Sequence, residues 1–84
     1  MRKSIPKPGQ KPLISWKAVG RRVRELRGFD TRQAELAERI GVSQGYLSLL
    51  ERGEVQAGAE VLLALSREFG KSVDWLLTGE ERKQ

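Results

Sequence analysis

Residues 33–53 read QAELAERIGVSQGYLSLLERG, a stretch that predicts two short helices joined by a tight turn. Its first half predicts a short helix that ends at Gly41, because glycine adopts the left-handed backbone of a tight turn without strain. Its second half predicts another helix, which starts at the capping residue Ser43 and runs to residue 52, before Gly53. Val42 fills the space between the two helices. The inward residues fall at helical spacing: Leu36, Ala37 and Ile40, then Leu47 and Leu50.

Three further helices flank this pair. The first starts at Trp16, after the capping residue Ser15, and stops at Gly28. The other two are expected over residues 59–69 and 73–78. Apolar residues recur at steps of three and four in each segment, and we find no alternation typical of a strand. The sequence therefore predicts an all-α, compact five-helix domain.

The start of the second helix is less clearly marked. We expect it near residue 32, with Asp30 or Thr31 as its cap. Ala34 is expected to join its inward face. The remaining chain divides by composition: residues 1–13 hold three prolines and few apolar residues, which predicts a disordered, extended arm. Residues 14–79 form the domain, and residues 80–84 are a polar tail that frays.

Several function classes are excluded by composition. The 84 residues include no cysteine and no histidine, so disulfides, the usual zinc sites and a histidine-based catalytic triad are ruled out. We expect no cofactor and no metal. Acidic and basic residues alternate along the helix surfaces as solvated pairs do, which argues against an enzyme. No apolar run approaches the roughly 18 residues of a membrane span, so we expect a cytoplasmic protein without a membrane partner.

The positive charge is concentrated in the first part of the chain. Up to Gly53 there are 12 basic and 5 acidic residues, and after it there are 4 basic and 6 acidic residues. A polyanion would therefore bind to the front part of the domain, which ends at Gly53.

Three blocks of the chain resemble the lambda-repressor/Cro (XRE) family of helix-turn-helix proteins: residues 19–27, 33–53 and 72–79. The resemblance implies a lambda-repressor-like domain that places helix 43–52 in the major groove of double-stranded DNA. It implies a sequence-specific transcriptional regulator, a repressor acting on a two-fold operator as a homodimer. Such a protein works at the nucleoid of a bacterial or phage-infected cell.

The resemblance also assigns contacts to individual positions. Gln33 would touch a phosphate and brace the recognition helix, with a solvated amide as the alternative. Gln44 would read adenine. The hydroxyl of Tyr46 would face a phosphate, unless the ring packs against the first helix or Arg22. Leu49 would meet a thymine methyl or pack against residues 54–56. The full set of expected DNA contacts is Gln33, Ser43, Gln44, Gly45, Tyr46, Ser48, Leu49, Arg52 and Arg22, with Arg2 and Lys3 from the arm.

Further expectations concern the scaffold and the partners. Glu51 is expected to pair with an arginine of the first helix, Arg22. The pair Ala57-Gly58 replaces the Pro-Ser usual in the family, which would loosen that loop. Trp75 and Leu76 are the candidate dimer interface, with a core role as the alternative for Trp75. The competing function is an antitoxin that binds a toxin protein, through the arm, and also represses its own operon.

Overall fold

A computed structural model describes residues 13–81, which form five α-helices and no strand. They are α1 (Trp16–Arg27), α2 (Gln33–Ile40), α3 (Gln44–Glu51), α4 (Ala59–Phe69) and α5 (Val73–Thr78). The all-α, five-helix prediction is confirmed, with each boundary within one residue of its expected place. Residues 1–12 of the predicted arm, with the expected DNA contacts Arg2 and Lys3, lie outside the described residues. The same is true of residues 82–84 of the predicted tail. No helix within the described range is long and apolar enough to cross a membrane.

Serine and glycine fix most of the helix ends, as the sequence predicts. The side-chain oxygens of Ser15, Ser43 and Ser72 each accept a hydrogen bond from the backbone N–H three residues later. These bonds satisfy donors that the first turn of a helix leaves free. Gly41 ends α2 in the left-handed conformation, with φ 79° and ψ 30°. The turn between α2 and α3 therefore has the backbone expected from its glycine.

The capping residue of α2 differs from the prediction, although the helix starts within one residue of its expected place. Arg32, and neither Asp30 nor Thr31, is the N-cap. The Glu35 carboxylate accepts the backbone N–H of Arg32 at 2.8 Å, which is one half of a capping box. A glutamate three residues after the cap was the sequence signal for this boundary. Ala34 is exposed, so its predicted inward position is wrong. At about 100° per residue, Ala34 lies about 200° around the helix from Leu36, so its side chain is on the side away from the core.

The core lies between all five helices. Packing joins α1 to α3 and α5, α2 to α3 and α4, and α4 to α5. Seven large side chains are almost completely buried in this core: Leu36, Leu47, Leu50, Leu65, Leu76, Val19 and Val23. Two of them, Leu47 and Leu50, belong to α3. The short helix α3 is therefore held from behind by its leucines, and its opposite face is left toward solvent.

Two glycines set the distance between α1 and α3. A Cβ atom on Gly20 would lie 2.5 Å from the carbonyl oxygen of Glu51 and closer still to that of Leu50. Gly53 has a φ of 78°, and a Cβ atom there would lie 2.6 Å from the Cα of Lys17. No side chain fits at either position without moving backbone. The third helix is thus fixed against the first at two points.

Candidate nucleic-acid interface

The outer face of α3 consists of the residues on the side opposite its buried leucines. Gln44 and Gly45 are exposed in the first turn, and Ser48 and Leu49 are half-buried one turn later. The side chain of Ser43 is committed to capping, because it accepts the N–H of Tyr46 at 3.0 Å. The amino end of a helix carries partial positive charge and free N–H groups. This end of α3 can therefore meet an anionic groove.

A buried ion pair lies behind this face. Arg27 of α1 donates from Nε and Nη2 to the two carboxylate oxygens of Glu51, at 2.8 and 2.9 Å. The Glu51 side chain is only 4% exposed, and the hydrogen bond to it raises the pKa of Arg27 above its ordinary value. Glu51 thus pairs with an arginine of the first helix, as expected, but that arginine is Arg27 and the expected Arg22 is wrong. Arg27 lies on the α3 side of α1, whereas Arg22 lies on the α5 side.

A chain of amides continues from this pair to the surface. Gln33 donates from Nε2 to Glu51 Oε1 at 3.0 Å. Gln44 in turn donates from Nε2 to the side-chain oxygen of Gln33 at 3.5 Å. Gln33 therefore braces α3 from α2, as the sequence analysis expects, while its phosphate contact stays a prediction. Among residues 13–81 the oxygen of the Gln44 amide has no partner, so it is available to a base edge.

Tyr46 ties α3 to the loop that follows it. Its hydroxyl donates to the backbone oxygen of Gln56 at 3.1 Å, and its ring packs against the core. The sequence predicts that this hydroxyl faces a phosphate, whereas here it donates its proton to the loop. Ala57 is 8% exposed and belongs to the core, and Val55 packs against it. The loop is anchored, in contrast to the loosening expected from Ala57-Gly58.

Arg22 and Leu76 meet away from the α3 face. Arg22 donates from Nη1 to the backbone oxygen of Leu76 at 2.9 Å, at the junction of α1 and α5. This bond holds Arg22 at the junction of α1 and α5, while its expected DNA contact stays a prediction. Leu76 is fully buried, so its predicted place in a dimer interface is wrong. Trp75 is half-buried, and the ammonium of Lys71 lies 4.9 Å from its ring centroid.

The remaining cations near α3 are solvent-exposed. Arg52, the residue that ends α3, has its Nε 3.4 Å from Glu54, and both side chains are more than half exposed. Such a pair contributes little to stability, so Arg52 can turn to a phosphate at small cost. Within the described part of the chain, four exposed arginines have no ion pair at all: Arg21, Arg24, Arg32 and Arg67. No sequence motif identified them as part of the interface.

In this domain α3 is held by buried leucines and exposes its amino end and its outer face. This arrangement defines a helix-turn-helix DNA-binding domain. A family model described as helix-turn-helix matches residues 21–76. The chain belongs to this family, within its lambda-repressor/Cro (XRE) type.

Two curated relatives match most of the chain. Repressor protein C2 of Salmonella phage P22 is 41% identical over 63 residues, which are 74% of this chain and 29% of the repressor. The propionyl-CoA carboxylase regulator of Cereibacter sphaeroides is 40% identical over 66 residues, which are 77% of this chain and 14% of the regulator. The chain therefore spans less than a third of the length of either relative.

Solved structures show the same fold. The P22 c2 repressor in complex with a synthetic operator has a TM-score of 0.69 and 41% identity, covering 74% of this chain and 96% of the repressor chain. The clp gene regulator ClgR from Corynebacterium glutamicum has a TM-score of 0.67 and 37% identity, covering 80% of this chain and 71% of the regulator chain. By name these relatives are repressors and regulators. None of them supports the antitoxin alternative.

Proposed function

We propose that this chain binds double-stranded DNA sequence-specifically and regulates transcription, with α3 inserted in the major groove. The observation that carries the proposal is the clamped α3, whose inner leucines are buried while Gln44, Gly45, Ser48 and Leu49 remain available outside. A helix held this rigidly presents its side chains in one fixed geometry, as direct readout of base edges requires. The relatives named as repressors and regulators support the same function.

The experiment is a selection of bound duplexes from a random DNA pool. We expect an enriched sequence, and we expect its affinity to exceed that for unrelated duplex by about a thousandfold or more at moderate salt. A pool that stays unenriched while binding remains salt-sensitive would reduce the protein to a non-specific DNA binder. A pool that is not bound at all would reject DNA as the partner.

Within the selected sequence, Gln44 should read one adenine. Its amide oxygen is free, and one of its N–H groups contacts Gln33, which holds the side chain in place. The change Gln44→Ala should cost about 1–3 kcal/mol at one base position and relax the preference there. Quantitative binding to all single-base variants of the selected duplex measures this effect. Gln56→Ala is the matched control, since Gln56 is exposed in the loop and should leave every base preference intact. Equal weakening on all duplexes would instead mark Gln44 as a phosphate contact.

The proposal includes a homodimer on a two-fold operator. One domain of this kind buries only about 600–1,000 Å² on DNA, so tight binding needs two copies with half-sites about 34–36 Å apart. With Leu76 buried, Trp75 is the remaining interface candidate from the sequence.

Light scattering on the complex should give two protein chains per selected duplex, and Trp75→Ala should shift the complex toward one chain. Leu63→Ala is the control, because Leu63 is an exposed leucine on α4. A single chain on the wild-type complex would remove the dimer from the proposal. The DNA contacts from Arg2 and Lys3, and the place of action at the nucleoid, belong to the same proposal.

A further inference from the structure

The side of α4 that faces away from the core has opposite charges at its two ends. Glu60 lies in the first turn and Arg67 in the last turn, and both are exposed. Leu63, which is 45% exposed, and the half-buried Ala64 lie between them. At about 100° per residue, these four side chains fall within about 100° of one another, opposite the buried leucines of the helix. We call them the α4 outer face.

Neither charge of the α4 outer face has a partner inside the domain. Among residues 13–81, the side chains of Glu60 and Arg67 form no ion pair and no hydrogen bond. Arg39 of α2 pairs instead with Glu68, at 3.4 Å. Of the large apolar side chains that the described part of the chain exposes, Leu63 alone belongs to a helix. The face therefore has both charge and apolar surface to offer to another molecule.

The order of the charges selects a second copy of the chain in antiparallel orientation. Glu60 and Arg67 are equally far from the midpoint between Leu63 and Ala64. A two-fold axis through that midpoint places each glutamate opposite the arginine of the other copy, and each Leu63 opposite the small Ala64. Such an interface is self-complementary, as closed dimeric contacts are. Parallel helices would instead place like charges together, which is unfavourable.

The small size of this face makes the pairing weak. Stable interfaces bury about 1,200–2,000 Å² in total, and one side of an 11-residue helix supplies only part of that area. A weak contact still acts between molecules held close together, because their effective concentration reaches the millimolar range. The α4 outer face shares no residue with the outer face of α3, so one molecule can use both.

We propose that the α4 outer face is a self-association surface, which pairs antiparallel with the same face of a second copy of this chain. On DNA the pairing joins protein bound at neighbouring operators, and this part rests on the proposed function. It connects one complex to another and leaves the number of chains per operator unchanged. It is therefore separate from the contact assigned to Trp75.

The test follows the backbone amide signals of the protein by nuclear magnetic resonance, without DNA, from micromolar to millimolar concentration. We expect signals of residues 60–67 to shift with concentration, whereas a dimer through Trp75 shifts signals of α5. Glu60→Arg places like charges opposite each other at both ends of the pair, and should weaken the association about tenfold. Glu38→Arg is the matched control, since it makes the same change at an exposed glutamate of α2 and should leave the association unaltered.

Exchanging the two charges separates pairing from an effect on the helix itself. Both charges also suit the helix dipole, and Glu60→Arg combined with Arg67→Glu reverses that effect at both ends. The double variant should nevertheless associate as the unaltered chain does, because each arginine again faces a glutamate. The proposal is overturned if residues 60–67 do not shift with concentration, or if the double variant associates no better than Glu60→Arg. Thermal melting checks that the variants are folded. A failure of the proposed function is distinct, because it would show only in the DNA selection.

Discussion

Replacing Gly20 with alanine should lower the free energy of unfolding by about 3 kcal/mol, the upper end of the range for an overpacked core. The added Cβ would collide with the carbonyl groups of Leu50 and Glu51, which are backbone atoms and cannot rotate away. For a domain of this size the melting temperature should fall by roughly 12–24 °C. Thermal and urea unfolding, followed by circular dichroism, measure both quantities.

Gly45→Ala is the matched control, because Gly45 also lies inside a helix but has open space at its Cβ. That change should stabilise the protein by about 0.5–1 kcal/mol, since alanine has the higher helix propensity. The two substitutions are chemically identical and should act in opposite directions. A Gly20→Ala protein that melts at or above the temperature of the unaltered chain would contradict the close crossing of α1 and α3.

Breaking the buried ion pair should have an effect of similar or greater size. Arg27→Met leaves the Glu51 carboxylate buried, with Gln33 as its remaining side-chain donor. Removing one partner of a buried ion pair costs about 3–5 kcal/mol, because the hydrogen bond that remains compensates the buried charge only in part. Urea unfolding at neutral pH should show the loss as a lower midpoint with an unchanged slope.

Two further proteins separate the charge from the packing. Arg27→Met combined with Glu51→Leu removes both charges and should recover most of the stability, because an apolar pair replaces an ionic one. Arg52→Met breaks the exposed contact with Glu54 and should cost less than about 1 kcal/mol. If Arg27→Met proved no more harmful than Arg52→Met, the buried pair would be irrelevant to folding.

The helices could be predicted because their signals are local. Ser15, Ser43 and Ser72 cap the helices that follow them, and glycines end α1, α2 and α4 within a residue of the expected position. The spacing of apolar residues identifies the inner face of α3 in the same way. These features depend on neighbours a few positions away, which the sequence displays directly.

The contacts between helices could not be predicted in the same way. Arg22 and Arg27 both lie on α1, and the face of α1 that packs against α3 decides which of them reaches Glu51. The collision at Gly20 depends on the same packing. Tyr46 donates to a backbone oxygen, a partner that carries no sequence signature. The outer face of α3 was thus predictable, whereas the internal partners of Arg22 and Tyr46 were not.

The shortness of α2 and α3 has a consequence for variants of this protein. Each has eight residues, and isolated helices below about 12–15 residues are marginal in water. The recognition helix therefore exists only while α1 and α2 hold it, so the folded state and the DNA-binding state are one population. By mass action, operator DNA should draw a weakened protein back toward that population. Variants in α1 change what fraction of the molecules can bind, and variants on the outer face of α3 change which DNA they bind.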